Sequence, residues 1–153
     1  MSDSTATPSQ EKSCEHAAAF LILRLFLGLR TFLAGVEKFE KSGSYSFKNY
    51  YDNMGHMAQG ITGASFLPLW STRLFAHSIG YLLLVLGALI LLGIKPRMTL
   101  LFTGLVYVGL SFGLMAVEEN EGIAWLGIHI GLIAAALVLV RHARFSLWPD
   151  ASR

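Results

Sequence analysis

Four long apolar runs, at 17–36, 74–92, 98–117 and 123–140, constrain this chain more than any other feature. The last three contain no Asp, Glu, Lys or Arg. Each is 18 to 20 residues long, and at about 1.5 Å of rise per residue a helix of that length crosses a hydrocarbon core of roughly 30 Å. A spanning segment must satisfy its own backbone hydrogen bonds, so the runs are predicted to be helical. The expected fold is therefore all-α: an integral membrane four-helix bundle in contact with the lipid bilayer. At 153 residues there is room for one domain. Hydrophobic residues make up 54% and charged residues 14%, against about 25% charged in soluble domains, so a water-soluble fold is excluded.

The remaining composition narrows function. A net charge of +2, with the basic residues mostly at segment edges, gives no nucleic-acid footprint. Cys14 is the sole cysteine, so neither an intramolecular disulfide nor a thiol relay is available. Residues 1–16 are polar and lack the layout of a signal peptide. The run that follows is longer than a signal core and is expected to stay as an anchor. The predicted plan is a polar cytoplasmic tail at 1–16, a transmembrane domain at 17–141 and a second cytoplasmic tail at 142–153.

The connections set an orientation. A tight turn around Lys95, Pro96 and Arg97 joins runs two and three, and the wholly non-basic stretch 118–122 joins runs three and four. Lys12, Lys95, Arg97, Arg141, Arg144 and Arg153 gather at one end, which the positive-inside rule makes cytoplasmic, together with both termini. Lys38, Lys41, Lys48 and Arg73 in the long 37–73 loop moderate that bias. The loop is too long to be a simple connector. Its aromatic and methionine-rich stretch at 47–57 predicts a short interfacial helix on the outer face, leading to Pro68 and Trp70 at belt level.

Two stretches resemble the DoxX-like membrane family. Leu23-Arg24-Leu25-Phe26-Leu27-Gly28 followed by Gly35-Val36-Glu37-Lys38-Phe39 is similar to that family's first helix. Ile79-Gly80-Tyr81 through Gly93-Ile94-Lys95-Pro96-Arg97 is similar to its second helix and closing turn. Relatives include the DoxD-type subunit of thiosulfate:quinone oxidoreductase and other small subunits of respiratory oxidoreductases. The resemblance implies a bacterial or archaeal cytoplasmic membrane, partner membrane or peripheral subunits, and quinone as the associated cofactor. Two positions depart from the family pattern: His77-Ser78 stands where an acidic residue is usual, and Arg30 where an apolar one is usual.

Charge inside a bilayer is costly and demands a reason. Arg24 lies seven residues from the start of its run, at a depth of about 10 Å on helical rise, within snorkelling reach of lipid headgroups. Arg30 lies too deep for that, and Glu37, seven residues on, shares its helix face. Helices of alternating direction then bring His77, Tyr81, Glu118 and His129 into the outer half with Arg30 and Glu37. These six are the candidates for a quinone or anion site, in which Arg30 binds an anion or carbonyl and the histidines hydrogen-bond or shuttle protons. The alternative is that the same groups only pair across helices, at roughly 1 kcal/mol each. Met54, His56 and Met57 form a weaker candidate set for a soft metal, for which apolar packing is the simpler account. No catalytic residue is assigned. The expected function is a small anchoring subunit of a quinone-linked redox complex. The alternatives are a purely structural accessory subunit and, with no broken helix to favour it, a small-solute carrier.

Overall fold

The structure, a computed structural model, describes residues 8–143 and 146–148. Five helices and one short hairpin follow in order: α1 (Pro8–Glu37), β1 (Glu40–Lys41), β2 (Ser44–Tyr45), α2 (Phe47–Ala64), α3 (Leu69–Leu92), α4 (Pro96–Ala116) and α5 (Asn120–Leu139), which ends in a 3-10 turn at Val140–His142. Helices α1, α3, α4 and α5 are long and apolar enough to cross a membrane, over Cys14–Glu37, Leu69–Leu92, Pro96–Ala116 and Asn120–His142. The four-helix membrane bundle expected from the apolar runs is thus present.

The helix starts differ from the apolar boundaries. α1 begins at Pro8, inside the expected polar tail. Proline suits the first helical position, and the Gln, Glu and Lys that follow are good helix formers, so polarity ends the span there without ending the helix. Residues 1–7, 144–145 and 149–153, with Arg144 and Arg153 of the basic set, lie outside the described residues. α3 begins five residues before its apolar run, at Leu69 after Pro68, whose carbonyl accepts from the Ser71 and Thr72 amides.

α1 and α3 run antiparallel along a glycine seam. A Cβ at Gly28 would lie 3.0 Å from the Leu91 amide nitrogen, and one at Gly35 would lie 2.8 Å from that of Leu84. A Cβ at Gly87 of α3 would strike the Phe32 backbone. The two backbones therefore approach as closely as small residues in membrane helices permit. α4 packs on α5 as a second antiparallel pair.

Helix α2 is amphipathic and docked. Ser46 caps it by accepting from the Asn49 amide at 3.1 Å. Its buried residues Tyr50, Met54, Ala58 and Ile61 recur at helical spacing on one face. That face rests mainly on α3, with Ile61 also reaching Gly113 of α4. The predicted interfacial segment is therefore a helix packed onto the end of the bundle.

The opposite end, which carries the described ends of the chain, is closed by a strap. Trp148 pairs with Ile94 in a parallel bridge, its carbonyl accepting from the Lys95 amide at 2.7 Å. Gly93, the α3 C-cap, takes the left-handed conformation (φ 69°) that glycine favours. Arg24 is only 6% exposed and packs inward against Gly93.

Candidate functional site

At the end of the bundle that carries the α1–α2 and α4–α5 connections lies a partly open cavity of about 700 Å³. Four helices build most of its wall. α1 supplies Arg30, Ala34 and Glu37; α2 supplies Asn53, Met54, Met57 and Ile61; α4 supplies Tyr107, Leu110 and Leu114; α5 supplies Trp125, Leu126 and His129. The walls are chiefly apolar, with a few polar groups set among them, which is the usual make-up of a small-molecule site.

Arg30 and Glu37 sit two helical turns apart on α1, and Arg30 Nη1 donates to Glu37 Oε1 at 3.2 Å and Oε2 at 3.4 Å. Both side chains are partly exposed to the open side of the cavity. Lys38 and Glu119 add one charge of each sign, so the four formal charges of the lining cancel. Deeper, the Thr31 and Tyr107 hydroxyls share a buried hydrogen bond of 3.1 Å between α1 and α4.

His129 is 7% exposed. Its Nδ1 is 2.7 Å from the Trp125 carbonyl oxygen one turn earlier. Its Nε2 is buried and has no hydrogen-bond partner among the described residues. The imidazole lies between the rings of Phe26 and Tyr107, with centroids 6.1 Å and 5.8 Å away.

The sequence model of the DoxX family matches residues 19–115, well over half of the chain. The chain belongs to the DoxX family. With its four apolar helices, this DoxX-family chain is an integral membrane protein. No curated protein and no solved structure gives a significant match. The DoxX match covers Arg30, Glu37 and Tyr107 but stops within α4, so Trp125 and His129 stand on a helix beyond it.

Of the residues singled out from the sequence, Arg30, Glu37 and His129 meet at the cavity, and Met54 and Met57 line it as well. His77, Tyr81 and Glu118 do not line it. α3 faces the cavity through Leu83, and at about 100° per residue His77 and Tyr81 lie far round the helix from that position. They join an aromatic cluster instead: His77 meets the Tyr51 ring at 5.5 Å, and Tyr81 meets Tyr50 at 4.9 Å and Phe39 at 5.6 Å. Glu118 was expected in the outer half with the other candidates, but α4 stops at Ala116 and Glu118 turns left-handed (φ 57°), out of helical phase. Its neighbour Glu119 lines the cavity.

His56 is exposed on α2, apart from the inward-facing Met54 and Met57. Among the described residues, no three His, Cys, Asp or Glu side chains converge as a metal site. Among the lining residues not anticipated from the sequence are Lys38, Asn53, Glu119, Trp125 and Leu126. Trp125 was within reach of the sequence, since it stands four residues before His129 and shares its face.

Proposed function

We propose that this DoxX-family chain holds a neutral, quinone-class ring ligand in the cavity, as a small membrane subunit of a quinone-linked redox assembly. The host membrane in this reading is a bacterial or archaeal cytoplasmic membrane, with both termini cytoplasmic and the cavity in the outer half. The carrying observation is the cavity itself, about 700 Å³ with apolar walls and Arg30 and His129 among its few polar groups. That size falls within the roughly 300–1,000 Å³ of small-molecule sites. The charge balance favours a neutral ligand over an anion, because Arg30 is already matched by Glu37. The guanidinium has five N–H donors, and those not directed at Glu37 are available to a ring carbonyl.

The test is extraction of the protein in mild detergent, followed by analysis of the quinone that accompanies it. Arg30→Leu removes the donor and is expected to lower the quinone content several-fold. Unchanged content in a folded Arg30→Leu protein would remove the site reading.

The accessory-subunit alternative has an observation of its own. Gly127 and Gly131 face outward on α5, where an added Cβ would meet nothing within 4 Å. Such a surface suits close approach by another membrane helix. Purification under mild conditions tests this reading, since a chain that always runs alone is not an accessory subunit.

A further inference from the structure

The hydrogen bonding of His129 carries information about the chemical form of the ligand. The Trp125 carbonyl, 2.7 Å from Nδ1, can only accept. Nδ1 therefore holds the proton, and in the neutral ring Nε2 is a bare acceptor. That acceptor is buried, in a residue 93% enclosed, and no donor among the described residues reaches it. An enclosed acceptor without a donor is a standing energetic cost, which only an O–H or N–H can relieve.

The two redox forms of a quinone-class ring differ in this respect. The oxidised form turns carbonyl oxygens toward the wall, so acceptor would meet acceptor. The reduced form carries hydroxyls and can donate. We propose that the cavity prefers the hydroxyl-bearing hydroquinone form, with His129 Nε2 accepting the ligand O–H and the Trp125 carbonyl as the positioning group that fixes the tautomer. This preference rests on the occupancy proposed above and adds the form of the ligand to it. Arg30 donates to an oxygen of either form, so it governs affinity while His129 governs preference. Nε2 is sealed from solvent in this structure, so the proposal requires the side chains over it to part as the ring enters. The proposal concerns binding alone, and no proton or electron changes hands in it.

The experiment uses the full chain in lipid nanodiscs without oxygen, titrated with a decyl-substituted benzohydroquinone and with the matching benzoquinone. The hydroquinone is expected to bind about tenfold more tightly, the worth of one satisfied buried hydrogen bond. His129→Phe is expected to erase the difference and leave both forms near the affinity of the quinone. Arg30→Leu is expected to weaken both forms alike. A second measurement needs no substitution: in protein carrying 15N-histidine, the Nε2 resonance of His129 shifts on adding hydroquinone and stays in place on adding quinone. Equal affinities, tighter quinone binding, a gap that persists in His129→Phe or an unmoved Nε2 resonance overturns the preference. If both forms bind equally, occupancy stands and only the preference falls. If neither binds, the occupancy reading falls with it.

Discussion

The buried Tyr50 hydroxyl ties α2 to α3. It is fully buried, donates to the His77 carbonyl at 2.6 Å and accepts from the Gly80 amide at 3.3 Å. Removing that hydroxyl leaves buried backbone groups without this partner, so Tyr50→Phe is expected to lower stability by roughly 1–3 kcal/mol, read by thermal unfolding in one fixed detergent. Burial also pushes the Tyr50 phenol above its ordinary range. The unfolded chain sheds that proton near about pH 10, whereas the folded chain keeps it longer. The contribution to stability is therefore complete below about pH 10 and is lost as pH rises through the raised value. An ultraviolet titration of the folded protein should show a late tyrosine phase to which Tyr50 contributes. A smaller late phase in Tyr50→Phe would confirm the contribution, and an unchanged one would refute it. At this scale the sequence was uneven. The spacing of Arg30 and Glu37 placed them on one helix face, because both lie in one unbroken helix, and there they pair. Tyr50 gave no such sign, since a tyrosine in an interfacial stretch reads the same whether it points into the bundle or out of it.

Helix pairs test a different property, the approach of backbones. At Gly35 and Gly87 an added Cβ meets backbone atoms of the facing helix, which cannot turn aside as a side chain can. At Gly109 it would meet only the Phe75 ring at 3.6 Å, and at Gly127 nothing. Alanine is a better helix former than glycine by roughly 0.5–1 kcal/mol, so propensity alone predicts stabilisation at all four positions. The seam reverses that sign at two of them. Gly35→Ala and Gly87→Ala are each expected to cost roughly 1–3 kcal/mol through overpacking, while Gly109→Ala and Gly127→Ala are neutral or slightly stabilising. Thermal unfolding of the four variants side by side decides it, and uniform stabilisation would show that α1 and α3 do not meet as described. The existence of each helix was legible because hydrophobicity sustained over 18 or more residues leaves little choice in a bilayer. Their starts were not, because α1 and α3 continue past the apolar boundary into polar sequence. Which face meets which neighbour was also hidden. His77 and His129 sit in comparable apolar surroundings in sequence, yet only His129 reaches the cavity.

Across the whole molecule, the side of the membrane on which the cavity opens depends on charge. Lys12, Lys95, Arg97 and Arg141 stand at the end that bears the strap, while Lys38, Lys41, Lys48 and Arg73 stand at the cavity end. In the sequence, Arg144 and Arg153 follow Arg141 after the last span and raise that side's count to six. Orientation follows the basic residues near the span ends, with acidic residues contributing little, so both termini are expected in the cytoplasm and the β1–β2 hairpin outside. Two cysteine positions report this directly. Cys14 is exposed at the terminal end, and Ser42 is exposed in the hairpin turn at the cavity end. On intact cells a membrane-impermeant maleimide should leave the natural chain unlabelled and should label Cys14→Ser/Ser42→Cys, with both labelled after permeabilisation. The reverse pattern would open the cavity to the cytoplasmic side. Because the bias is slight, it should also be fragile: replacing Lys95 and Arg97 with glutamine removes two of the six basic residues at the terminal end and leaves both ends with four. A mixed labelling pattern in that variant would show that these two side chains, and not the bundle's packing, decide which side of the membrane the cavity faces.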